Sequence, residues 1–142
     1  MNFNDGLFIT FEGIDGSGKS TQSQLLYDAL NDLGISVIQT REPGGSIGAE
    51  IIRSLLVSGD TDRWSAETEI LLFTAARRDH LEKTIQPALT KNQIVICDRF
   101  VDSTRVYQGV ARADLRQTVD ELHSIIIKKE PDITFIIDTD PE

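Results

Sequence analysis

Nine consecutive residues near the start of the sequence have the types and the spacing of a loop that binds phosphate groups. They are Gly13, Ile14, Asp15, Gly16, Ser17, Gly18, Lys19, Ser20 and Thr21. They match the pattern Gly-x-x-x-x-Gly-Lys-Ser/Thr, in which glycines let backbone N–H groups turn towards an anion. The lysine ammonium group reaches the β- and γ-phosphates of a nucleotide, and the serine hydroxyl is placed to bind Mg²⁺. The sequence therefore predicts a phosphate-binding P-loop rather than an ordinary glycine-rich turn.

An acidic and a basic residue, Asp98 and Arg99, directly follow the apolar stretch 94–97. An aspartate at the end of a buried strand is placed to hold Mg²⁺ through water, as in other P-loop proteins. The alternative is an aspartate that only caps the next turn. Arg99 can bind phosphate through two parallel N–H groups, which lysine cannot do, and its alternative is a surface salt bridge.

Phe73 and Arg77 are four residues apart in a predicted helix and therefore share one face of it. A ring beside a guanidinium group can stack on a nucleobase and hydrogen-bond to it, although such a pair more often belongs to the core and its rim. Residues 107–109, Tyr-Gln-Gly, are a weak signal in isolation. His80 and His123 have no partner at metal-ligand spacing, so we expect both to face solvent.

Apolar segments that alternate with amphipathic ones indicate the elements that position these residues. Strands are predicted at residues 7–11, 35–40, 94–97 and 133–137. Helices are predicted at 18–33 with Gly34 as the stop, at 47–57, from the N-cap Ser65 to about 81 with a bent continuation towards 89, and at 115–129. Residues 102–108 are predicted to form a short helix or a turn. Strands joined by helices form a parallel sheet, and its ligands bind beyond the carboxyl ends of the strands. The prediction is one α/β domain over residues 1–142 with a P-loop NTPase-type sheet flanked by helices.

The composition of the 142 residues restricts the class of protein. A net charge of −9 argues against non-specific binding to nucleic acid, which needs a basic surface. No apolar run approaches the roughly 18 residues of a membrane span, and the first residues lack an export signal. The single cysteine, Cys97, fits a reducing compartment and is predicted to be buried. We therefore expect a cytoplasmic protein whose partners are small nucleotides, not nucleic acid or membrane.

Six segments distributed along the chain resemble the bacterial thymidylate kinase family. In order they read FEGIDGSGKSTQ, TREPGG, LLFTAARRDH, DRFVDST, YQG and, closing the last strand, DTDPE. They span nearly all of the chain, and the last four separate this family from other nucleoside monophosphate kinases. The resemblance implies a nucleoside monophosphate kinase-like fold and a transfer of the γ-phosphoryl group of ATP to dTMP, with Mg²⁺ as cofactor, in dTDP biosynthesis.

On the donor side, the resemblance implies that residues 13–21 hold the phosphates of ATP and that Lys19 stabilises the transferred group. Asp15 resembles an acid that contacts the sugar hydroxyl of dTMP. Ser20 and Asp98 would organise Mg²⁺, partly through water. The implied catalytic set is Lys19, Asp15, Asp98 and Arg99.

On the acceptor side, the resemblance implies that Phe73 stacks on thymine and that Arg77 hydrogen-bonds its O4 edge. Arg99, together with Arg53, would hold the phosphate of dTMP, and Asp15 would also contact dTMP. Three more residues match positions that line the nucleoside pocket, where a tyrosine ring can crowd out a ribose 2′-OH: Ser103, Tyr107 and Gln108.

Gly16 stands where one branch of the family carries an arginine, so the resemblance favours the branch in which a lid after the fourth strand supplies it. The sequence stops at Glu142, where that lid would begin, and a fifth strand would follow it. We expect either a fragment of a longer protein, from a family that tends to form homodimers, or a short chain with impaired catalysis and an exposed sheet edge. Two alternatives to a dTMP kinase stay open: a kinase for another pyrimidine monophosphate, and a non-catalytic nucleotide-binding remnant.

Overall fold

The computed structural model describes residues 6–110 and 114–139. Within these residues, four parallel strands form one sheet in the order β2-β3-β1-β4. The strands are β1 (Leu7–Glu12), β2 (Val37–Arg41), β3 (Ile94–Asp98) and β4 (Ile133–Ile136). The register places Asp98 beside both Phe11 and Arg41, so the carboxyl ends of β1, β2 and β3 lie level. The predicted α/β fold with a parallel sheet is confirmed.

Helices connect the strands, and three of them pass into a π-helical turn among the described residues. The helices are α1 (Lys19–Asp32), α2 (Ile47–Val57), α3 (Ala66–His80), α4 (Gln86–Thr90), α5 (Val101–Thr104) and α6 (Arg116–Leu122). The turns are π1 (Leu81–Ile85), π2 (Arg105–Val110) and π3 (His123–Ile127). Since α3 continues through π1 into α4, the predicted continuation towards residue 89 is confirmed.

Local residues account for where these helices begin and end. The Oγ of Ser65 accepts a hydrogen bond from the Thr68 N–H at 3.1 Å, which confirms the predicted N-cap of α3. Glu67 and Glu69 lie in the first turn, where negative charge favours the positive end of the helix dipole. Gly34 follows α1 with a φ of +76°, the left-handed conformation that glycine often adopts after a helix.

The core lies on both faces of β1 and β3. Phe8, Val95 and Cys97 pack on one face with side chains of α3, π1 and α5. Ile9 and Ile96 pack on the other face with side chains of α1. Strands that are covered on both faces consist of continuous apolar residues, and this pattern is what predicted β1 and β3 from the sequence. The prediction that Cys97 is buried is confirmed.

The prediction that His80 and His123 face solvent is wrong. His80 is 0% exposed and His123 is 5% exposed. His80, at the end of α3, is hydrogen-bonded to Glu42 and Thr40. His123, at the start of π3, packs edge-on against Phe100 with 6.0 Å between the ring centres. The lack of metal-ligand spacing did not imply exposure, because hydrogen bonds or ring contacts with residues distant in sequence can also hold a buried histidine.

The strand β4 lies at one edge of the sheet and is more exposed than the central strands. Its Ile136 is 73% exposed, whereas Ile9 on the adjacent strand is 4% exposed. Over residues 6–110 and 114–139, no helix is both long enough and apolar enough to cross a bilayer.

Candidate functional site

The predicted phosphate loop connects the carboxyl end of β1 to the start of α1. Gly16 and Gly18 have φ values of +82° and +93°, which glycine adopts at low cost. At Gly13, φ is +152° and an added Cβ would lie 2.6 Å from the carbonyl oxygen of Ile137. Ser17 is 5% exposed, and its Oγ has no hydrogen-bond partner among the described residues. A buried hydroxyl left unpaired in a loop of this shape fits a ligand that is rich in oxygen atoms.

Lys19, Ser20 and Asp98 meet where the phosphate loop passes the end of β3. Lys19 is 6% exposed, and its Nζ forms an ion pair with Oδ1 of Asp98. The hydroxyl of Ser20 donates a hydrogen bond to Oδ2 of Asp98 at 3.2 Å. Both carboxylate oxygens of Asp98 therefore face the loop. Hydroxyl and carboxylate oxygens are the ligands that Mg²⁺ prefers, so this group of side chains fits a magnesium ion.

Arg99 follows β3 with a left-handed φ of +70°. Its Nη2 lies 2.6 Å from Oδ1 of Asp15, and its guanidinium carbon lies 5.7 Å from the centre of the Tyr107 ring. Its Nε is buried without a hydrogen-bond partner within residues 6–110 and 114–139. A strained backbone of this kind costs about 1–3 kcal/mol and clusters at functional sites. Here the strained residue joins the phosphate loop through its guanidinium group, where a bound phosphate would meet it.

A cavity of about 440 Å³ opens beside the phosphate loop. Seven residues that the sequence singled out line it: Asp15, Arg53, Phe73, Arg77, Arg99, Ser103 and Tyr107. Gln108 belongs to π2, but its side chain lies outside the described part of the chain. Sites for small molecules typically measure ~300–1,000 Å³, so the cavity can hold a nucleotide-sized ligand.

Glu42, directly after β2, contacts two buried side chains although the sequence interpretation did not single it out. It is 6% exposed, and its Oε1 lies 2.6 Å from Nε of Arg77. Its Oε2 lies 2.7 Å from Nδ1 of His80. Its position just after a predicted strand is the signal that could have identified it, and a similar position identified Asp98.

Glu42, His80 and Cys97 also place potential metal-ligand atoms within 4.8 Å of one another. Both carboxylate oxygens of Glu42 are already hydrogen-bonded to Arg77 and His80. Burial, with a further contribution from the charge of Glu42, raises the pKa of the Cys97 thiol well above its ordinary value. Because metals bind the thiolate, these three residues fit a hydrogen-bond network better than a metal centre.

Glu12, the last residue of β1, is the second residue that the sequence interpretation missed. Its Oε1 accepts a hydrogen bond from the Phe100 N–H at 2.6 Å, and its Oε2 accepts one from the Ser103 hydroxyl at 2.5 Å. Burial raises the pKa of Glu12 to about 7, while the hydrogen bonds from Ser103 and Phe100 act in the opposite direction. Glu12 therefore ties the start of α5 to the central strand of the site.

The glycine loop between a buried strand and a helix, with its lysine and serine held by a strand-end aspartate, defines a P-loop nucleotide-binding protein. The model of one family, described as Thymidylate kinase, matches residues 11–142. The chain therefore belongs to the thymidylate kinase family.

Individual members of this family are similar to the chain over almost its whole length. A thymidylate kinase of Ruegeria pomeroyi is 68% identical over 137 residues, which are 96% of this chain and 65% of that protein. A thymidylate kinase of Dinoroseobacter shibae is 66% identical and is matched over 96% of this chain and 66% of that protein. The crystal structure of thymidylate kinase from Ehrlichia chaffeensis has a TM-score of 0.88 and 48% identity, covering 95% of this chain and 77% of that one. The chain thus spans 65–66% of the length of these two curated relatives.

Proposed function

We propose that the protein transfers the γ-phosphoryl group of ATP to dTMP, which yields ADP and dTDP. The observation that carries this proposal is the cavity of about 440 Å³, where Asp15 of the phosphate loop is joined by Phe73 and Arg77 of α3. Membership of the thymidylate kinase family supports the same reaction. A phosphate loop and a cavity for a base that share one border allow direct transfer between two bound nucleotides.

In this proposal, residues 13–21 bind the phosphates of ATP, and Lys19 places its charge beside the group that is transferred. Ser20 would hold Mg²⁺ through its hydroxyl, and Asp98 would hold it partly through water. The ion would supply positive charge to offset the negative charge that develops on the transferred group. The ion pair between Lys19 and Asp98 supports this assignment, since it already holds both side chains at the loop.

The acceptor side of the cavity supplies a ring, a fixed guanidinium group and two further cations. Phe73, half-buried on α3, stacks on thymine, and Arg77 donates an N–H group to O4. Arg53 and Arg99 hold the phosphate of dTMP, and Arg53 is oriented by a 2.8 Å hydrogen bond from its Nη1 to the Pro43 carbonyl. Three further residues contact the nucleoside in this proposal: Ser103, Tyr107 and Gln108.

The proposed chemical step needs positioning and charge more than proton transfer. An oxygen of the dTMP phosphate forms a bond to the γ-phosphorus of ATP, while the bond from that phosphorus to the bridging oxygen breaks and ADP leaves with the electron pair. Lys19 and Arg99 stabilise the charge spread over the transferred group. Asp15, which lies 2.6 Å from Arg99, hydrogen-bonds the sugar hydroxyl of dTMP once the nucleotide is bound. Residues 13–21 include no arginine, so an arginine that acts at the transition state comes from outside the loop.

We further propose that the protein works as a homodimer in the cytoplasm and binds nucleotides but not nucleic acid. The helix α2 supports the dimer, because Ile47 is 87% exposed and both Ile51 and Val57 are 63% exposed. An apolar helix surface of this kind is typical of a protein interface. The net charge of −9 supports small ligands over a nucleic-acid backbone.

The test is release of ADP, measured in a coupled assay with ATP, Mg²⁺ and dTMP, together with direct detection of dTDP. We expect turnover that depends on dTMP and that falls at least about 100-fold in Lys19→Ala, because a charge at the transferred group is lost. Lys91→Ala, a change at an exposed lysine after α4, is the matched control and should leave turnover unchanged. Equal rates with dTMP and dCMP would contradict the thymine assignment. Binding of both nucleotides without formation of dTDP would instead favour a non-catalytic nucleotide-binding protein.

A further inference from the structure

We infer that Glu42 and His80 are positioning residues that determine which nitrogen of Arg77 faces the nucleotide cavity, and that they thereby favour pyrimidines with an oxygen rather than an amino group at C4. This inference rests on the proposed function, because it concerns the base that Arg77 contacts. Glu42, Arg77 and His80 are 6%, 4% and 0% exposed. Side chains this deeply buried have few alternative positions, so their mutual hydrogen bonds decide how the guanidinium group is oriented.

On one side, Arg77 is held by a chain of three side chains. Oε1 of Glu42 lies 2.6 Å from Nε of Arg77, and Oε2 lies 2.7 Å from Nδ1 of His80. Nε2 of His80 lies 2.7 Å from Oγ1 of Thr40. A carboxylate only accepts hydrogen bonds, so Nδ1 of His80 is the donor to Glu42; in the neutral ring, Nε2 then accepts from the Thr40 hydroxyl. These hydrogen bonds thus prevent the carboxylate of Glu42 from rotating into the cavity.

The loop after β2 closes tightly over this chain of hydrogen bonds. A Cβ added to Gly45 would lie 2.3 Å from Nε2 of His80 and 2.5 Å from Oγ1 of Thr40. The backbone of the loop therefore lies directly against the imidazole ring. With this backing, the ring cannot move away from Glu42 without displacing the loop.

On the other side, Arg77 is held by the segment that precedes and forms α5. Its Nη2 donates to the Phe100 carbonyl at 3.2 Å and to Oγ1 of Thr104 at 2.9 Å. Nε and Nη2 are thus both occupied, whereas Nη1 makes none of the hydrogen bonds found among residues 6–110 and 114–139. Because Arg77 lines the cavity, Nη1 is the nitrogen left for a ligand.

This arrangement presents a fixed hydrogen-bond donor, Nη1 of Arg77, to the cavity and keeps the acceptor oxygens of Glu42 out of it. All guanidinium N–H groups donate, so Nη1 matches the O4 atom of a 4-oxo pyrimidine and opposes the amino group of a 4-amino pyrimidine. Glu42 also lines the cavity, and a carboxylate that was free to turn would offer an acceptor to that amino group. His80 prevents this turn by binding Oε2. A site with fixed hydrogen-bonding groups discriminates strongly against a ligand with the wrong pattern.

The test measures the dissociation constants of dTMP, dUMP and dCMP by calorimetry, which does not depend on turnover. In His80→Phe, the preference for dTMP over dCMP should fall at least about tenfold, since one buried hydrogen bond to Glu42 is lost. The preference for dTMP over dUMP should not change, because both bases carry O4. In His80→Asn, which returns a side-chain N–H close to the position of Nδ1, the discrimination should be restored.

A milder pair of variants tests the same inference if His80→Phe does not fold. Thr40→Val removes the hydroxyl that His80 contacts, and we expect the dTMP-to-dCMP preference to fall about three- to tenfold. Thr74→Val is the matched control, because Thr74 is buried on the same helix as His80 but its hydroxyl donates to the Ile70 carbonyl at 2.7 Å and to none of the other described residues. That variant should leave the preference unchanged.

The outcomes separate this inference from the proposed reaction. Equal weakening of all three nucleotides in the His80 and Thr40 variants would overturn the inference, as would a wild-type protein that binds dTMP and dCMP equally. If the wild type prefers dTMP, the variants lose that preference and no dTDP is formed, the proposed reaction fails while the positioning role of Glu42 and His80 stands.

Discussion

Replacing Glu12 with glutamine tests how the carboxyl end of β1 holds α5 in place. Glu12 is 6% exposed and accepts hydrogen bonds from the Phe100 N–H and the Ser103 hydroxyl. Its pKa is raised from 4.5 to about 7, mainly by burial; the two hydrogen bonds act in the opposite direction, and the charges of Asp102 and Arg77 raise and lower it respectively. The folded protein therefore binds a proton at Glu12 over a pH range in which the unfolded chain has already lost it.

The direction of the effect follows from proton linkage. The stability that protonated Glu12 contributes is fully present below pH 4.5 and is lost as the pH rises through about 7. Each pKa unit corresponds to about 1.4 kcal/mol, so the free energy of unfolding should fall by about 3 kcal/mol across this range. Glutamine at position 12 does not titrate, so this loss should be absent in Glu12→Gln.

The assay is urea unfolding followed by circular dichroism at several pH values from about 5 to 8. The informative quantity is the difference in unfolding free energy between the wild type and Glu12→Gln. The other carboxylates titrate in both proteins, so their contributions cancel in this difference. Relative to Glu12→Gln, the wild type should be more stable at the acidic end of this range than at the basic end, by about 3 kcal/mol.

Glu50→Gln is the matched control for this assay. The pKa of Glu50 is lowered by its hydrogen bond from the Gly45 N–H and by Arg41, so its contribution to stability changes only below its ordinary pKa of 4.5. Its difference from the wild type should be flat from about pH 5 to 8. A flat difference for Glu12→Gln as well would refute the conclusion that burial raises the pKa of Glu12.

Two further variants test the packing of the loop after β2 and the stacking surface. Gly45→Ala should lower the free energy of unfolding, measured in urea, by more than Gly34→Ala does. The reason is that an added Cβ at Gly45 lies 2.3 Å from His80, whereas nothing lies within 4 Å of one at Gly34. If both variants lose the same stability, the loss comes from the left-handed backbone alone and not from contact with His80. Phe73→Ala should weaken binding of dTMP by about 1–3 kcal/mol in calorimetry, the usual value of a base stacked on a ring, and an unchanged affinity would exclude stacking on Phe73.

Much of the fold could be predicted because its signals are local. The strands predicted at 7–11 and 94–97 correspond to Leu7–Glu12 and Ile94–Asp98, since strands covered on both faces carry uninterrupted apolar runs. The N-cap at Ser65 was also readable, because a cap depends on residues only a few positions away. The strand order β2-β3-β1-β4 depends on pairing between distant segments, and the apolar pattern alone does not determine it.

The sequence predicted those site residues whose chemical type and spacing match a known motif. It did not predict those whose role depends on contacts with residues distant in sequence. The phosphate loop and Asp98 were identified from their pattern and from the strand that precedes each of them. Glu12 and Glu42 have the same placement at strand ends, but neither belongs to a spacing pattern that indicates chemistry. The burial of His80 was missed for the same reason, because its partner Glu42 is 38 residues away in sequence.

The pairing of charges at this site is relevant to the proposed reaction, in which a chain with a net charge of −9 would admit two phosphorylated ligands. Three cations at the site are paired with acids as follows: Lys19 with Asp98, Arg77 with Glu42, and Arg99 with Asp15. Arg53 instead donates to the Pro43 carbonyl and forms no ion pair within residues 6–110 and 114–139. In the proposed reaction, the phosphate of dTMP would therefore meet Arg53 without first breaking an ion pair.

Arg99 becomes available to the same phosphate at small cost. Its partner Asp15 has a side chain that is 91% exposed, and an ion pair this exposed to water contributes only about 0–1 kcal/mol. A carboxylate that leaves Arg99 regains its full hydration, whereas Glu42 could not leave Arg77 without stranding a buried charge. In the proposed reaction, this difference in burial would make Arg77 a fixed contact for the base and Arg99 an exchangeable contact for the phosphate. Since salt screens the net charge beyond about 8 Å, these contacts decide whether an anion binds.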